Sequence, residues 1–218
     1  NNTPLSAFVI AKAITAAGIP EGVVNILTMT HATAEIICTH PNVGMITLTG
    51  SVGAGRKVLE YSQVNIAKSS LELGGKTPAI VEPDADLAKA ATEIVGSKTT
   101  NCGQLCTAVE RVYVHASIYD EFVSLLKENM QQKQFGDRTK NPQFMGPLVN
   151  ENARINIHQM VERAIDDGAE LVLGGYIPEG KGHFYPATLL TNCRQDMEIV
   201  QDEIFGPVLP VLKYDDID

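Results

Sequence analysis

Two cysteines stand one helical turn apart in "TTNCGQLCTAVERVYV", residues 99–114, at Cys102 and Cys106. Three chemistries compete for such a pair. A structural metal takes four nitrogen or sulfur ligands. Neither a second cysteine pair nor paired histidines lies nearby, so no metal site is expected. A redox pair favours the spacing CxxC, and this is CxxxC. There remains one nucleophile beside one small core residue, with two small core cysteines as the alternative. "GQLCTA" reads as a loop entering a helix, where backbone amides and the helix dipole lower a thiol pKa. The histidines His31, His40, His115, His158 and His183 are scattered, and none marks itself as a cysteine's base.

Two other stretches carry candidate chemistry. "LELGGK" sets Glu72 in a leucine-flanked strand that stops at two glycines. A desolvated carboxylate there would have a raised pKa and act as a general base. An ordinary edge-strand glutamate is the competing reading. "TLTGSVGAG" runs a strand into Gly50-Ser51, with Gly53 and Gly55 close behind as a helix starts. Bare amides at a helix N-terminus favour phosphate. The register is not that of GxGxxG, and a plain glycine turn is the alternative.

The elements that must position these residues alternate. "NNTPLSAFVIAKAITAAG" predicts a helix with Thr3 as N-cap, Pro4 in its first turn and Leu5, Phe8, Val9 and Ala13 on one face. Strands are predicted at 23–27 and 43–50, a helix at 32–40 between them, and a helix from "SVGAGRKVLEYSQ". Two short strands flank Gly74-Gly75. Helices follow from "DADLAKAATEIVGSKTT", "SIYDEFVSLLKENMQQ" and "NARINIHQMVERAIDDG", and strands from "VYVHA", "ELVLGG", "FYPATLLTN" and "PVLPVLKY". Such alternation predicts an α/β fold with mainly parallel sheets, divided near residue 72. Both ends read as cuts through a larger protein.

Composition bounds the partners. The 218 residues are 44% hydrophobic, enough for a buried core. A net charge of −9 argues against nucleic acid or an anionic membrane as partner, while leaving a small anionic ligand open. No apolar run approaches the roughly 18 residues of a membrane span, and no secretory leader is expected. Four cysteines, Cys38, Cys102, Cys106 and Cys193, fit a reducing cytoplasm.

Together, "LELGGK", "NCGQLCTA" and "EIFGPVLPV" resemble the three signature segments of the NAD(P)-dependent aldehyde dehydrogenase family. The intervals from Glu72 to Cys106 and from Cys106 to Glu203 match the family's spacing, and "LTGSVGAG" resembles its nucleotide-proximal turn. The resemblance covers the whole chain. Within the family, "VERVYVHASIYDEFV", "MGPLVN" and "GKGHFYPATLL" are most similar to lactaldehyde and glycolaldehyde dehydrogenases.

The resemblance implies part of a Rossmann-like cofactor domain over 1–71 and much of an α/β catalytic domain over 72–218. It implies that Cys106 attacks an aldehyde carbon, that NAD, or NADP, accepts hydride, and that Glu72 activates the water that hydrolyses the thioester. A cofactor-independent cysteine acyl hydrolase using Cys106 and Glu72, or a non-catalytic scaffold, are the competing functions. Glu203 would hold the nicotinamide ribose and Phe205 lie beside the ring, with Gly50, Ser51, Gly55 and Leu73 also on the cofactor. Gln104 and the Cys106 amide would sit near the oxyanion, and Cys102 is the inert member. One pocket lined by the Gly50–Ser51 turn, Glu72, Cys106, Glu203 and Phe205 is expected, with Cys38 and Cys193 elsewhere. The family's upstream oxyanion asparagine and its "KPS"-type segment are not in this sequence, so the chain alone is expected to have little activity. Asn1 stands where NAD-preferring members often have an acid, which leaves NAD against NADP open. The whole enzyme is expected to be a cytoplasmic homo-oligomer acting on a small aldehyde.

Overall fold

The computed structural model describes residues 3–216, and the chain divides into two compact units at the Gly74–Gly75 bond. Asn1 lies outside the described residues. The first unit holds α1 (Leu5–Ala16), α2 (His31–Cys38), β1 (Met45–Thr49), α3 (Val52–Asn65) and β2 (Lys68–Glu72). β1 and β2 pair in parallel, from Met45 opposite Lys68 to Thr49 opposite Glu72, with α3 as the crossover. Side-chain caps start two of these helices: Thr30 accepts from the Thr33 amide and Ser51 from the Ala54 amide. α3 ends on Ile66 in the left-handed conformation. The Asn65 amide then binds the carbonyls of Cys38, His40 and Val43, tying the end of α3 to the loop before β1.

Three expectations fail in this unit. Residues 23–27 form no strand, because no described residue offers them a ladder partner, and the side chains of Val23, Val24 and Leu27 stay exposed. Pro4 is the N-cap of α1 without a side-chain bond, and Thr3 does not cap. No residue of α1 is buried, so the apolar face read from the sequence is uncovered within this unit.

The second unit holds β3 (Pro78–Val81), α4 (Leu87–Thr99), β4 (Arg111–His115), α5 (Tyr119–Gln131), α6 (Glu151–Asp166), β5 (Glu170–Leu173), β6 (Thr188–Thr191), α7 (Glu198–Gln201) and β7 (Val208–Tyr214). Its five strands run in the order β3-β4-β7-β6-β5, all parallel except β5 against β6. This is the α/β architecture with mainly parallel sheet that the alternation of elements predicts. The pleat alternation divides the strand residues between two cores. Val112, Val114, Leu189, Leu209 and Val211 face Phe122 and Leu126 of α5 and Val95 of α4. Leu190, Val208 and Leu212 face Ile157 and Val161 of α6. Helices thus pack on both faces of this sheet. No helix among the described residues is long and apolar enough to cross a membrane.

Candidate active site

The two cysteines differ completely in setting. Cys102 is buried and Cys106 is exposed. Burial pushes the Cys102 thiol up to about 12, although Lys98 nearby pulls the other way. Cys193 is likewise buried and pushed up to about 11. Cys38 lies half-buried in the first unit. Of the four thiols, Cys106 is the most exposed.

The loop that presents it begins where α4 stops. Asn101, Cys102 and Gly103 take positive φ of 50°, 59° and 72° in succession, a conformation L side chains resist. The reversal is fixed from both sides. The Asn101 side chain donates to the Gln104 carbonyl, and the Gln104 side chain donates back to the Asn101 carbonyl. The oxygen of that same Gln104 amide accepts from the Val149 amide at 2.8 Å, and its nitrogen reaches the Pro147 carbonyl. Gln104 therefore clasps the cysteine loop to the segment before α6. Both ends of the Gln104 side chain are engaged in holding this loop.

A correction concerns Cys106 itself. No helix starts there. Cys106 lies in a turn closed by the Ala108 amide on the Leu105 carbonyl, and the chain runs on into β4. The helix-dipole argument for an activated thiol thus has no helix to act through. The Gly-Gln-Leu run looked like a helix entrance because its turn residues serve a loop-to-strand connection equally well.

Glu203 and Phe205 sit on the loop after α7, in the same unit. This loop crosses the cysteine loop at Gly103, where an added Cβ would fall 2.3 Å from the Gly206 carbonyl oxygen. Only glycine fits at that crossing. Glu203 is half-buried, and its carboxylate accepts from the Gly75 amide at 3.2 Å. An added Cβ on Gly75 would lie 3.7 Å from the Cys106 carbonyl oxygen. Gly75 thus lies against both loops. Phe205 adopts a positive φ of 54° and leaves its ring exposed. Glu203 also borders a cavity of about 290 Å³ shared with Asn156, Met160, Arg163 and Glu198.

The remaining candidates lie in the first unit. Glu72 ends β2, and its carbonyl accepts from the Gly50 amide at 2.9 Å. Glu72 is exposed at the end of β2, the setting of the edge-strand reading. Ser51 caps α3. Gly55 is buried because Leu73 occupies the space a side chain would need, with an added Cβ 2.8 Å from a Leu73 methyl. Gly53, by contrast, faces open space, with only the Ser51 hydroxyl within 4 Å.

One cluster escaped the sequence reading. Lys98, fully buried, binds one oxygen of buried Glu110 at 2.6 Å. The other oxygen takes Lys76 at 3.0 Å and the Ile204 amide at 2.9 Å. Burial lowers the pKa of both lysines, Lys76 to about 8, although the Glu110 charge opposes the shift. A signal was present: Ala108, Glu110, Val112 and Val114 alternate in step, and all four are buried.

A match to the sequence model described as "Aldehyde dehydrogenase family" extends over residues 1–218. The chain is 46% identical to lactaldehyde dehydrogenase of Escherichia coli over 218 residues, 99% of this chain and 46% of that protein. It is 40% identical over 215 residues to D-glyceraldehyde dehydrogenase (NADP(+)) of Picrophilus torridus, covering 96% of this chain and 43% of that one. The crystal structure of lactaldehyde dehydrogenase from Escherichia coli superposes with a TM-score of 0.94 at 45% identity, over 98% of this chain and 45% of that one. The chain thus spans a little under half the length of these relatives, at 43–46%.

Proposed function

The chain belongs to the aldehyde dehydrogenase family, and on that premise we propose that it carries the nucleophile of an enzyme oxidising a small aldehyde to its carboxylic acid with NAD(P). One observation carries the proposal: of the two cysteines in the family motif, Cys106 is exposed and Cys102 buried, and Cys106 follows a loop locked by Gln104 and crossed by the loop of Glu203.

The residues suit a nicotinamide dinucleotide. The Glu203 carboxylate accepts hydrogen bonds, as vicinal ribose hydroxyls require, and the exposed Phe205 ring offers a face to a planar heterocycle. The start of α3 offers amides and the open space at Gly53 to a phosphate. When bound, the nicotinamide supplies the acceptor for the aldehyde hydrogen. The chain's own part begins as the Cys106 thiolate bonds to the aldehyde carbon and the carbonyl π electrons pass to oxygen, giving a thiohemiacetal oxyanion. After oxidation the acyl group is a thioester on Cys106. Water then adds to the thioester carbon with Glu72 proposed as the base that takes its proton, and the thiolate leaves with its bonding pair. The Glu72 assignment rests on its place in "LELGGK".

The substrate we propose is a small hydroxyaldehyde such as lactaldehyde, supported by the 46% identity to lactaldehyde dehydrogenase. NAD and NADP both remain in the proposal, since a relative at 40% identity is named for NADP(+). A cytoplasmic homo-oligomer completes the proposal, and the net charge of −9 speaks against nucleic acid or an anionic membrane as partner. The test is growth of reduced-nicotinamide absorbance when the full-length protein meets lactaldehyde with NAD or NADP. Hydrolysis of an activated ester with no cofactor reduction for any aldehyde would overturn the proposal.

A further inference from the structure

We infer that Glu110 is a positioning residue for the cofactor, acting through the backbone of the loop that carries Glu203 and Phe205. The inference rests on the dehydrogenase proposal above. Four separate stretches of chain meet at this one carboxylate: Lys76 before β3, Lys98 near the end of α4, Glu110 itself at the entrance to β4, and Ile204. What it holds is specific. Ile204 is the residue between Glu203 and Phe205, and its buried amide donates to Glu110.

The loop needs such an anchor. It leaves α7 after one helical turn, passes through a positive φ at Phe205 and enters β7 at Val208. Between Asp202 and Val208 it has no secondary-structure ladder of its own. A half-buried carboxylate at Glu203 and an exposed ring at Phe205 point usefully only if the peptide between them is fixed. A neutral acceptor would fix it. The carboxylate does so more strongly, because an ionised acceptor makes the stronger bond. Lys98 at 2.6 Å and Lys76 at 3.0 Å set two cationic donors against that buried carboxylate. Lys98 also carries the carbonyl that lies against Gly103, 2.9 Å from an added Cβ there, so the pair that anchors the Glu203 loop also borders its crossing with the cysteine loop.

The test compares two double variants of the full-length protein. Both remove the fully buried cation with Lys98→Met, and Lys76, which is only partly buried, loses its carboxylate partner equally in both. One adds Glu110→Gln, which keeps an oxygen facing the Ile204 amide. The other adds Glu110→Met, which fills the space with no acceptor. Cofactor KM, aldehyde KM and hydrogen exchange at the Ile204 amide are measured in each. The Gln variant should stay near wild type. The Met variant should exchange Ile204 faster and raise cofactor KM about tenfold, with aldehyde KM unchanged. A general loss of packing would move both KM values and both variants together. Equal Ile204 exchange in the two variants overturns the inference, as does faster exchange with an unchanged cofactor KM. A wild-type protein that reduces neither NAD nor NADP overturns the dehydrogenase proposal instead, and the exchange comparison still decides whether Glu110 holds the loop.

Discussion

Cys106 should be the thiol that a small alkylating probe finds first in the folded chain, and Cys102, four residues away, should be the last. The perturbation is iodoacetamide at pH 8. The species that iodoacetamide alkylates is the thiolate. With its pKa pushed up to about 12, Cys102 is ionised in only about one molecule in ten thousand at pH 8. Cys193, at about 11, is ionised in about one in a thousand. Access adds a second factor, since Cys102 is 1% exposed and Cys193 8%, whereas Cys106 is exposed. The two factors act together, because the sulfur that ionises least is also the one the probe cannot reach. Cys102 labelling therefore requires opening of the structure. A domain of ordinary stability opens globally in on the order of one molecule in several thousand or fewer. Peptide mass mapping over a time course should show Cys106 modified well before half-buried Cys38, and Cys102 and Cys193 modified only when urea unfolds the chain. Native labelling of Cys102 at a rate within tenfold of Cys106 would refute both the burial and the assignment of a single nucleophile.

In the full-length enzyme, Cys106→Ala should abolish aldehyde oxidation, a loss on the order of 4 kcal/mol or more in barrier, while Cys102→Ala keeps most of it; equal losses in steady-state assays would count against Cys106. Glu72→Gln should leave a burst of reduced cofactor and slow turnover by roughly 10²–10⁴-fold, and stopped-flow traces with normal turnover would remove Glu72 from the base role. Glu110→Ala, with Lys98 intact, should cost about 3–5 kcal/mol by urea unfolding because it strands a buried cation; a loss under 1 kcal/mol would mean that Lys98 finds another partner or water. Lys76 gives a pH signature. Its folded pKa is lowered to about 8 against an unfolded 10.5, so between these values the unfolded chain holds the extra proton and stability rises with pH. Wild type should therefore gain stability from pH 8 to 9 relative to Lys76→Met; the raised folded values of Cys102 and Cys193 act the other way over this range but equally in both proteins. Parallel pH profiles for the two proteins would show that Lys76 is not desolvated.

The second unit was legible because its pattern is redundant. β4 reads as a strand by its β-branched alternation, its neighbours α4 and α5 read as amphipathic helices, and each packs where its apolar face requires. The first unit was less so. Its stretch at 23–27 has the composition of a strand, but a strand is a pairing, and composition does not provide the partner. α1 shows the same limit: an apolar face names residues that need cover, and the cover must come from elsewhere in the chain or beyond it. The short helix α7, one turn long, carries no period to detect.

At the candidate site, the sequence singles out residues but not the setting each one occupies. Cys106 and Cys102 differ by nothing in composition. What separates them is a run of three left-handed residues that turns the chain so that one thiol faces the core and the other solvent. That run includes Cys102, for which local sequence gives no cause, although Asn101 is a residue type that takes this conformation readily. The cause is tertiary: Gly103 must pass against Gly206, and Gln104 must reach Val149, and both constraints arrive from segments more than forty residues away. Glu110 teaches the converse. Its place in the alternation Ala108, Glu110, Val112, Val114 puts a carboxylate on a buried face, and Lys98 one turn after Ile94 puts an ammonium on another. Each alone contradicts its element's pattern. Two such violations of opposite sign, twelve residues apart on consecutive elements, are mutually explained by a buried pair. A charge that breaks a hydrophobic period is therefore best read by searching the neighbouring elements for its counter-charge.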